Sequence, residues 1–165
     1  MRILKDNESP LRSIAEEVPH GEDVKALVND MRKTMIDAGG IGLAANQVGI
    51  LKRIIVLKTP KFKGAIINPV ITNNTKDRIN SNEGCLSFPG LIVDRKRFNK
   101  ITVEGFDENW KPIEVNVNGL SSFCLQHEID HLNGVLFIDY LSKLKRDLVI
   151  RKFAKAARER QRGVG

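Results

Sequence analysis

His127, Glu128 and His131 fall within one pentad, His127-Glu128-Ile129-Asp130-His131, on a stretch whose remaining pattern is that of a buried helix. The histidines are four apart, so a helix sets both imidazoles on one face, one turn apart. Two neutral imidazoles can hold a divalent metal, and a carboxylate beside them can take a proton from a water that the metal activates. The chemistry suggested is metal-assisted hydrolysis.

A hydrolytic site of this kind needs a third protein ligand and one position left for water. A histidine six residues after the second would serve, and Gly134 fits that pattern, but position 137 is Phe. A downstream glutamate is the other known solution. Only Glu159 offers one, deep in a basic tail, and Asp139 lies just past the helix stop. Cys124 shares the helical stripe with His127. Seven residues separate it from His131, a rise of about 10 Å, too far for three side chains on one helix to meet at one ion. Cys124 therefore reads as core. Cys85, in Glu83-Gly84-Cys85-Leu86-Ser87, remains. Its flanking glycine gives the backbone room to approach a ligand, yet a buried strand-end cysteine would look the same, and the residues by themselves leave the two readings level.

The elements that must position these groups follow from periodicity. Val24, Leu27, Val28, Met31 and Met35 predict a helix over 23–37, ended by Gly39-Gly40. Ile54–Leu57 and Ala65–Ile71 are β-branched runs that predict strands, with Pro69 marking an edge or a bulge. Asn73 to Asp77 reads as a turn, and Leu91–Arg97, Ile101–Phe106 and Ile113–Val117 as further strands. A second helix is predicted over 120–132, stopped by Asn133-Gly134, and a third from about Ser142 to Arg160. The expected class is α+β: mainly antiparallel sheet around a central helix carrying the histidines, with an N-terminal helix and a basic C-terminal helix.

Length and composition agree with that class. A chain of 165 residues, 41% hydrophobic and 28% charged, suits one globular domain. No apolar run reaches the length of a membrane span, and Met1 to Asp6 lacks the apolar core of a signal peptide. Two cysteines, Cys85 and Cys124, do not make a disulfide framework, so a reducing, cytoplasmic setting is expected. The net charge of +7 is confined to residues 141–165, which hold nine basic and two acidic residues. Residues 1–140 balance.

Three separated segments carry a family resemblance: Gly40-Ile41-Gly42-Leu43-Ala44-Ala45-Asn46-Gln47, Glu83-Gly84-Cys85-Leu86-Ser87, and Gln126 to Gly134 around the pentad. In this order and spacing they resemble the bacterial-type peptide deformylases, over roughly residues 3–145. The resemblance implies removal of the N-formyl group from the initiator methionine of new polypeptides, with release of formate. It implies that Cys85, His127 and His131 hold the metal, that Glu128 is the general base and later the proton donor, and that Gln47 and the Leu86 N–H stabilise the oxyanion. One divalent ion per chain is implied, natively Fe²⁺, with Ni²⁺ or Co²⁺ also competent and Zn²⁺ often bound. The substrate would lie extended along a strand edge, against main-chain groups of Ile41 and Gly84 and beside Gly42, with its methionine among Ile41, Leu120, Phe123, Cys124 and His127.

One departure concerns Ile92, where many members carry an arginine, and another the opening Lys5-Asp6-Asn7-Glu8-Ser9-Pro10. His20 is given no role. The resemblance divides the chain into a catalytic domain, 1–146, and a basic C-terminal helix, 147–165. In that helix Val149, Phe153 and Ala157 form a face to pack, and Arg151, Lys155, Arg158 and Arg162 fall on another. Partners are formylated nascent polypeptides and, through the basic face, ribosomal RNA; no membrane partner is expected. Two other classes compete: a closed structural metal site, and a metallopeptidase acting on internal bonds.

Overall fold

A computed structural model describes residues 1–5 and 8–162, without the side chains of 156, 157, 160 and 161. Asp6, Asn7 and the Ala157 side chain, all used in the sequence reading, lie outside the described residues.

The apolar periodicity of residues 24–35 becomes helix α1 (Lys25–Asp37), which ends before Gly39. Seven strands follow, β1 (Gly42–Ala44), β2 (Ile54–Lys58), β3 (Lys63–Asn74), β4 (Arg78–Cys85), β5 (Phe88–Phe98), β6 (Lys100–Phe106) and β7 (Pro112–Asn118). Five of them form an antiparallel sheet in the order β1-β2-β3-β6-β7, and β4 and β5 form a separate hairpin. Pro69 interrupts β3 at a register shift between Ile67 and Val70. The proline is thus accommodated by a bulge in a central strand.

Strand β2 is buried on both faces, and its period of two divides the core. Ile55 and Leu57 pack with Leu125, Ile129 and Leu132 of helix α2 (Leu120–Leu132). Ile54 and Val56 pack on the opposite side with Val28, Met31 and Met35 of α1. Helix α2 is therefore enclosed, with the sheet on one flank and the β4–β5 hairpin on another. It stops at Asn133, and Gly134 follows with φ +71°, against the Arg12 carbonyl, where a Cβ would collide.

A third apolar cluster joins the hairpin to both ends of the chain. Leu4, Leu11, Phe88, Val93, Leu136, Phe137 and Ile138 are its buried members, and Val149, Ile150 and Phe153 of α3 (Lys143–Arg162) pack against them. The first half of α3 is thus part of the body, while Arg151, Lys155, Arg158 and Arg162 are exposed. Among the described residues no helix is long and apolar enough to cross a membrane.

Candidate active site and metal centre

Helix α2 places His127 and His131 as its spacing requires, with Nε2 to Nε2 at 3.2 Å. Cys85 ends β4 and brings its Sγ to 3.3 Å from His131 Nε2. The three donor atoms all lie within 4.8 Å of one another and can hold one metal ion. The third donor arrives on the tight turn of the hairpin, where Cys85 pairs with Phe88. Phe88 is buried and stacks against Phe137 and Phe153, which fixes the turn.

A buried ionic network orients this set. Glu83, two residues before Cys85 on β4, places Oε2 at 2.9 Å from His127 Nδ1. A carboxylate on Nδ1 leaves Nε2 turned towards Cys85, the arrangement that orients a ligating imidazole. Arg97, only 3% exposed, donates to Glu83 through Nε at 2.6 Å and Nη2 at 2.8 Å, and through Nη1 to Asp130 at 2.6 Å. Arg95 donates to the same Asp130 oxygen at 3.0 Å and lies 3.3 Å from the centre of the Tyr140 ring. Burial pushes Glu83 up, but the hydrogen bonds from Arg97 and His127 outweigh it and hold the carboxyl at about 2. Burial pushes His127 down, yet its bonds to Cys85 and Glu83 raise it to about 10. His131 moves the other way, lowered by burial and then by the His127 charge.

Glu128 is buried beside the pair, and burial raises its carboxyl to about 7. Among the described residues its Oε2 has no hydrogen-bond partner. Gly42 faces it across the cleft, and a Cβ there would strike Glu128 Oε1 and lie 2.8 Å from Cys124 Sγ. Gly42→Ala is accordingly expected to lower kcat/KM for the site's reaction about 10-fold or more by displacing Glu128, with metal content unchanged. Steady-state kinetics beside metal analysis would check this, and an unchanged kcat/KM would show that Glu128 does not need this space.

Gln47 sits on the 3-10 turn Ala45–Val48 that follows β1. Its Oε1 accepts from the Ala44 N–H at 2.8 Å. Its Nε2 donates to Ser87 Oγ at 3.2 Å and lies 3.5 Å from Cys85 Sγ, so the amide group is aimed at the ligand cluster. Asn46, the next residue back, donates to the His131 carbonyl.

These groups open onto a cleft of about 480 Å³. Ile41, Gly42, Gln47, Gly84, Cys85, Leu86, Leu120, Phe123, Cys124, His127 and Glu128 all line it, and His131 reaches the cluster from behind. Cys124 stays outside the donor set; its thiol is buried, which pushes it well above its ordinary value. The mouth is apolar, with Ile41 42% and Leu120 53% exposed. Ile92, 64% exposed, reaches within 3.4 Å of where a Gly84 Cβ would stand. A second groove of about 420 Å³, across the ends of β3, β6 and β7, is lined by lysines, amides and hydroxyls and contains none of these groups. His20 packs on Phe106 and Trp110, away from the cluster.

Sequence reasoning missed Arg97, Asp130 and the pairing of Glu83 with His127. One signal was available: Glu83 stands in the same short segment as Cys85, two residues before it.

The polypeptide deformylase family model matches residues 1–147. The chain is 46% identical over 163 residues to the peptide deformylase of Rhizobium meliloti, covering 96% of this chain and 90% of that one. PDF from a Vibrio parahaemolyticus bacteriophage, solved in complex with actinonin, matches with a TM-score of 0.82 at 62% identity, covering 83% of this chain and 100% of that one. A peptide deformylase from Legionella pneumophila matches with a TM-score of 0.89 at 42% identity over 98% of this chain and 97% of that one. With the Cys-His-His cluster and its flanking glutamate in place, these matches show that the chain belongs to the polypeptide deformylase family, hydrolases that remove the N-formyl group from newly made polypeptides.

Proposed function

We propose that Cys85, His127 and His131 hold one divalent ion, natively Fe²⁺, and that Glu128 is the base and proton carrier of N-formylmethionine hydrolysis in the cytosol. The observation that carries this reading is the convergence of three donor atoms beside a buried carboxyl whose Oε2 is left unpartnered among the described residues. The donor set fits such an ion: one soft sulfur, two imidazole nitrogens and an orienting carboxylate behind His127. When bound, the ion supplies Lewis acidity, polarising the formyl carbonyl and easing the ionisation of water.

The chain's own residues do the rest. Glu128 takes the proton from the attacking water and delivers it to the departing amine. The formyl C–N bond breaks, the water's oxygen ends on formate, and the methionine nitrogen leaves as a free amine. Gln47 Nε2 and the Leu86 N–H donate to the oxygen on which charge builds, each worth about 2.7–4 kcal/mol of barrier. Ile41, Leu120, Phe123 and Cys124 receive the methionine side chain, and Gly42 and Gly84 lie beside the peptide. β1 ends the larger sheet and β4 is paired only with β5, so each has a free edge, and both edges border the cleft. An extended peptide can add to such an edge. Ile92 offers that peptide an apolar surface in place of a charge.

The test is formate release from formyl-Met-Ala-Ser by protein loaded anaerobically with Fe²⁺ or Ni²⁺, beside Cys85→Ala. Turnover in the wild type, lost together with bound metal in Cys85→Ala, is the expected result. Absence of turnover despite a stoichiometric metal would overturn the reading.

The exposed basic face of α3 supports a second element, docking on ribosomal RNA. Because Val149, Ile150 and Phe153 are packed, truncation at 147 would disturb the body, so charge reversal is the cleaner probe. Arg151, Lys155 and Arg158 changed to Glu should weaken ribosome co-sedimentation, most clearly at low salt, and leave tripeptide turnover intact. Co-sedimentation equal to wild type would rule the face out.

A further inference from the structure

Leu4 and Lys5 tie together the two chain segments that carry the proposed oxyanion donors. The Leu4 N–H donates to the Gln47 carbonyl at 2.8 Å. The Lys5 ammonium, at the wall of the cleft, donates to the Leu86 carbonyl at 2.5 Å. The Lys5 backbone is itself held, its N–H donating to Glu8 Oε2 at 2.6 Å and its carbonyl accepting from the Glu8 N–H at 3.3 Å. Leu4 is buried in the cluster that contains Phe88. The root of the Lys5 side chain is therefore fixed, and its reach to Leu86 is set by the fold.

From this geometry we propose that Lys5 is a positioning residue for the reaction, acting through the Leu86 backbone. This rests on the reading above, in which the Leu86 N–H is an oxyanion donor. Leu86 occupies a turn between Cys85 and Phe88, where the strand ladder no longer holds every backbone group. The turn is tied on one side by Cys85, directed at the metal cluster, and on the other by Gln47 donating to Ser87 Oγ. Neither contact fixes the Leu86 carbonyl. A charge-assisted bond from the ammonium does, and is stronger than one from a neutral donor. Holding that carbonyl restrains the 86–87 peptide plane, which adjoins, across the Leu86 Cα, the 85–86 plane whose N–H must point at the developing charge. Donors of this kind work only when aimed beforehand. The N-terminal segment thereby becomes part of the catalytic apparatus through Lys5, whose side chain no family-motif residue supplies.

The experiment compares wild type, Lys5→Met and Lys5→Arg, each loaded with Ni²⁺, on formyl-Met-Ala-Ser. Metal content and Tm are recorded alongside. Lys5→Met should lower kcat about 10-fold or more, as misplaced catalytic groups do, with KM changed by less than about twofold and metal content unchanged. Lys5→Arg should recover most of the loss. In the zinc-loaded proteins, the Ser87 amide resonance, which reports on bonding at the Leu86 carbonyl, should move in Lys5→Met and return towards wild type in Lys5→Arg. A wild-type kcat in Lys5→Met would overturn the proposal, as would a loss matched by loss of metal or an arginine variant no better than methionine. Wild-type protein without turnover would instead sink the deformylase reading, and the role of Lys5 with it.

Discussion

Glu128→Gln is expected to lower kcat for formate release by about 100- to 10,000-fold, the range usual for a positioned acid–base group, while the metal stays bound. Glutamine keeps the shape of the side chain and loses the basic oxygen. Burial sets the carboxyl at about 7, and a cation beside it would draw it lower. As the proposed base, Glu128 must be ionised to act, so wild-type kcat/KM should rise with pH along an acidic limb centred at or below about pH 7. That limb should be absent from the residual activity of the variant. Stability should move in the opposite sense. A carboxyl whose folded pKa lies above the ordinary 4.5 loses stability as pH rises through about 7. Above that pH the metal-free wild type carries a buried charge that the glutamine variant lacks. Metal-free Glu128→Gln should therefore melt higher at pH 8, by up to about 3 kcal/mol. Thermal melts and a pH–rate profile check both halves. A variant with near-wild-type turnover would remove Glu128 from the chemistry.

What the sequence disclosed follows from where the information is local. The histidine pair is local, because one helical turn relates its members. Helix α1 and strands β2, β5, β6 and β7 were legible because apolar or β-branched residues recur with the period of the element. Strand β4 was not. Its residues, Arg78-Ile79-Asn80-Ser81-Asn82-Glu83-Gly84-Cys85, turn Ser81 and Glu83 inward, so its buried face is polar and the usual alternation is absent. Strand β1 consists of Gly42, Leu43 and Ala44 and is extended only because it pairs with β2. Gly42 stands against Glu128 and Cys124, a contact that only the folded chain makes. The turn expected over 73–77 begins later, because β3 keeps Asn73 and Asn74 paired with β6. Cys85 was level between ligand and core on residue pattern alone. Its place beside the histidines depends on a hairpin meeting a helix 46 residues downstream, at His131. No spacing rule encodes such a meeting, and the family motifs supplied it. Arg97 was hidden by its type: an arginine in an alternating strand reads as a solvated side chain, yet here it is enclosed because Glu83 and Asp130 pair it.

That enclosure predicts the second large effect. Arg97→Met should destabilise the protein by about 3–5 kcal/mol, the usual consequence of removing one partner from a buried ion pair. Methionine fills much of the same volume, so lost packing contributes little. What remains is Glu83, 6% exposed, without its two guanidinium bonds, and Asp130 left to Arg95 alone. The pH dependence identifies the cause. In the wild type Glu83 is held at about 2 against an ordinary 4.5, so its contribution is complete above 4.5 and is lost as pH falls towards 2. Without Arg97 the largest lowering influence is gone and burial dominates, so Glu83 should take up a proton at higher pH. The stability difference between wild type and variant should then shrink as pH is lowered through the acid range, because protonation removes the charge left unpaired. Function should suffer through the same link. A Glu83 that is neutral or displaced no longer orients His127, and losses of outer-shell partners usually cost about 10- to 100-fold in metal affinity. Urea melts at neutral and acidic pH, with a chelator competition for Ni²⁺, measure both effects. Equal stability and equal metal affinity in Arg97→Met would mean that the Arg97–Glu83–His127 chain is incidental to the site. The expected losses would make it the frame on which two elements far apart in sequence present their ligands to one ion.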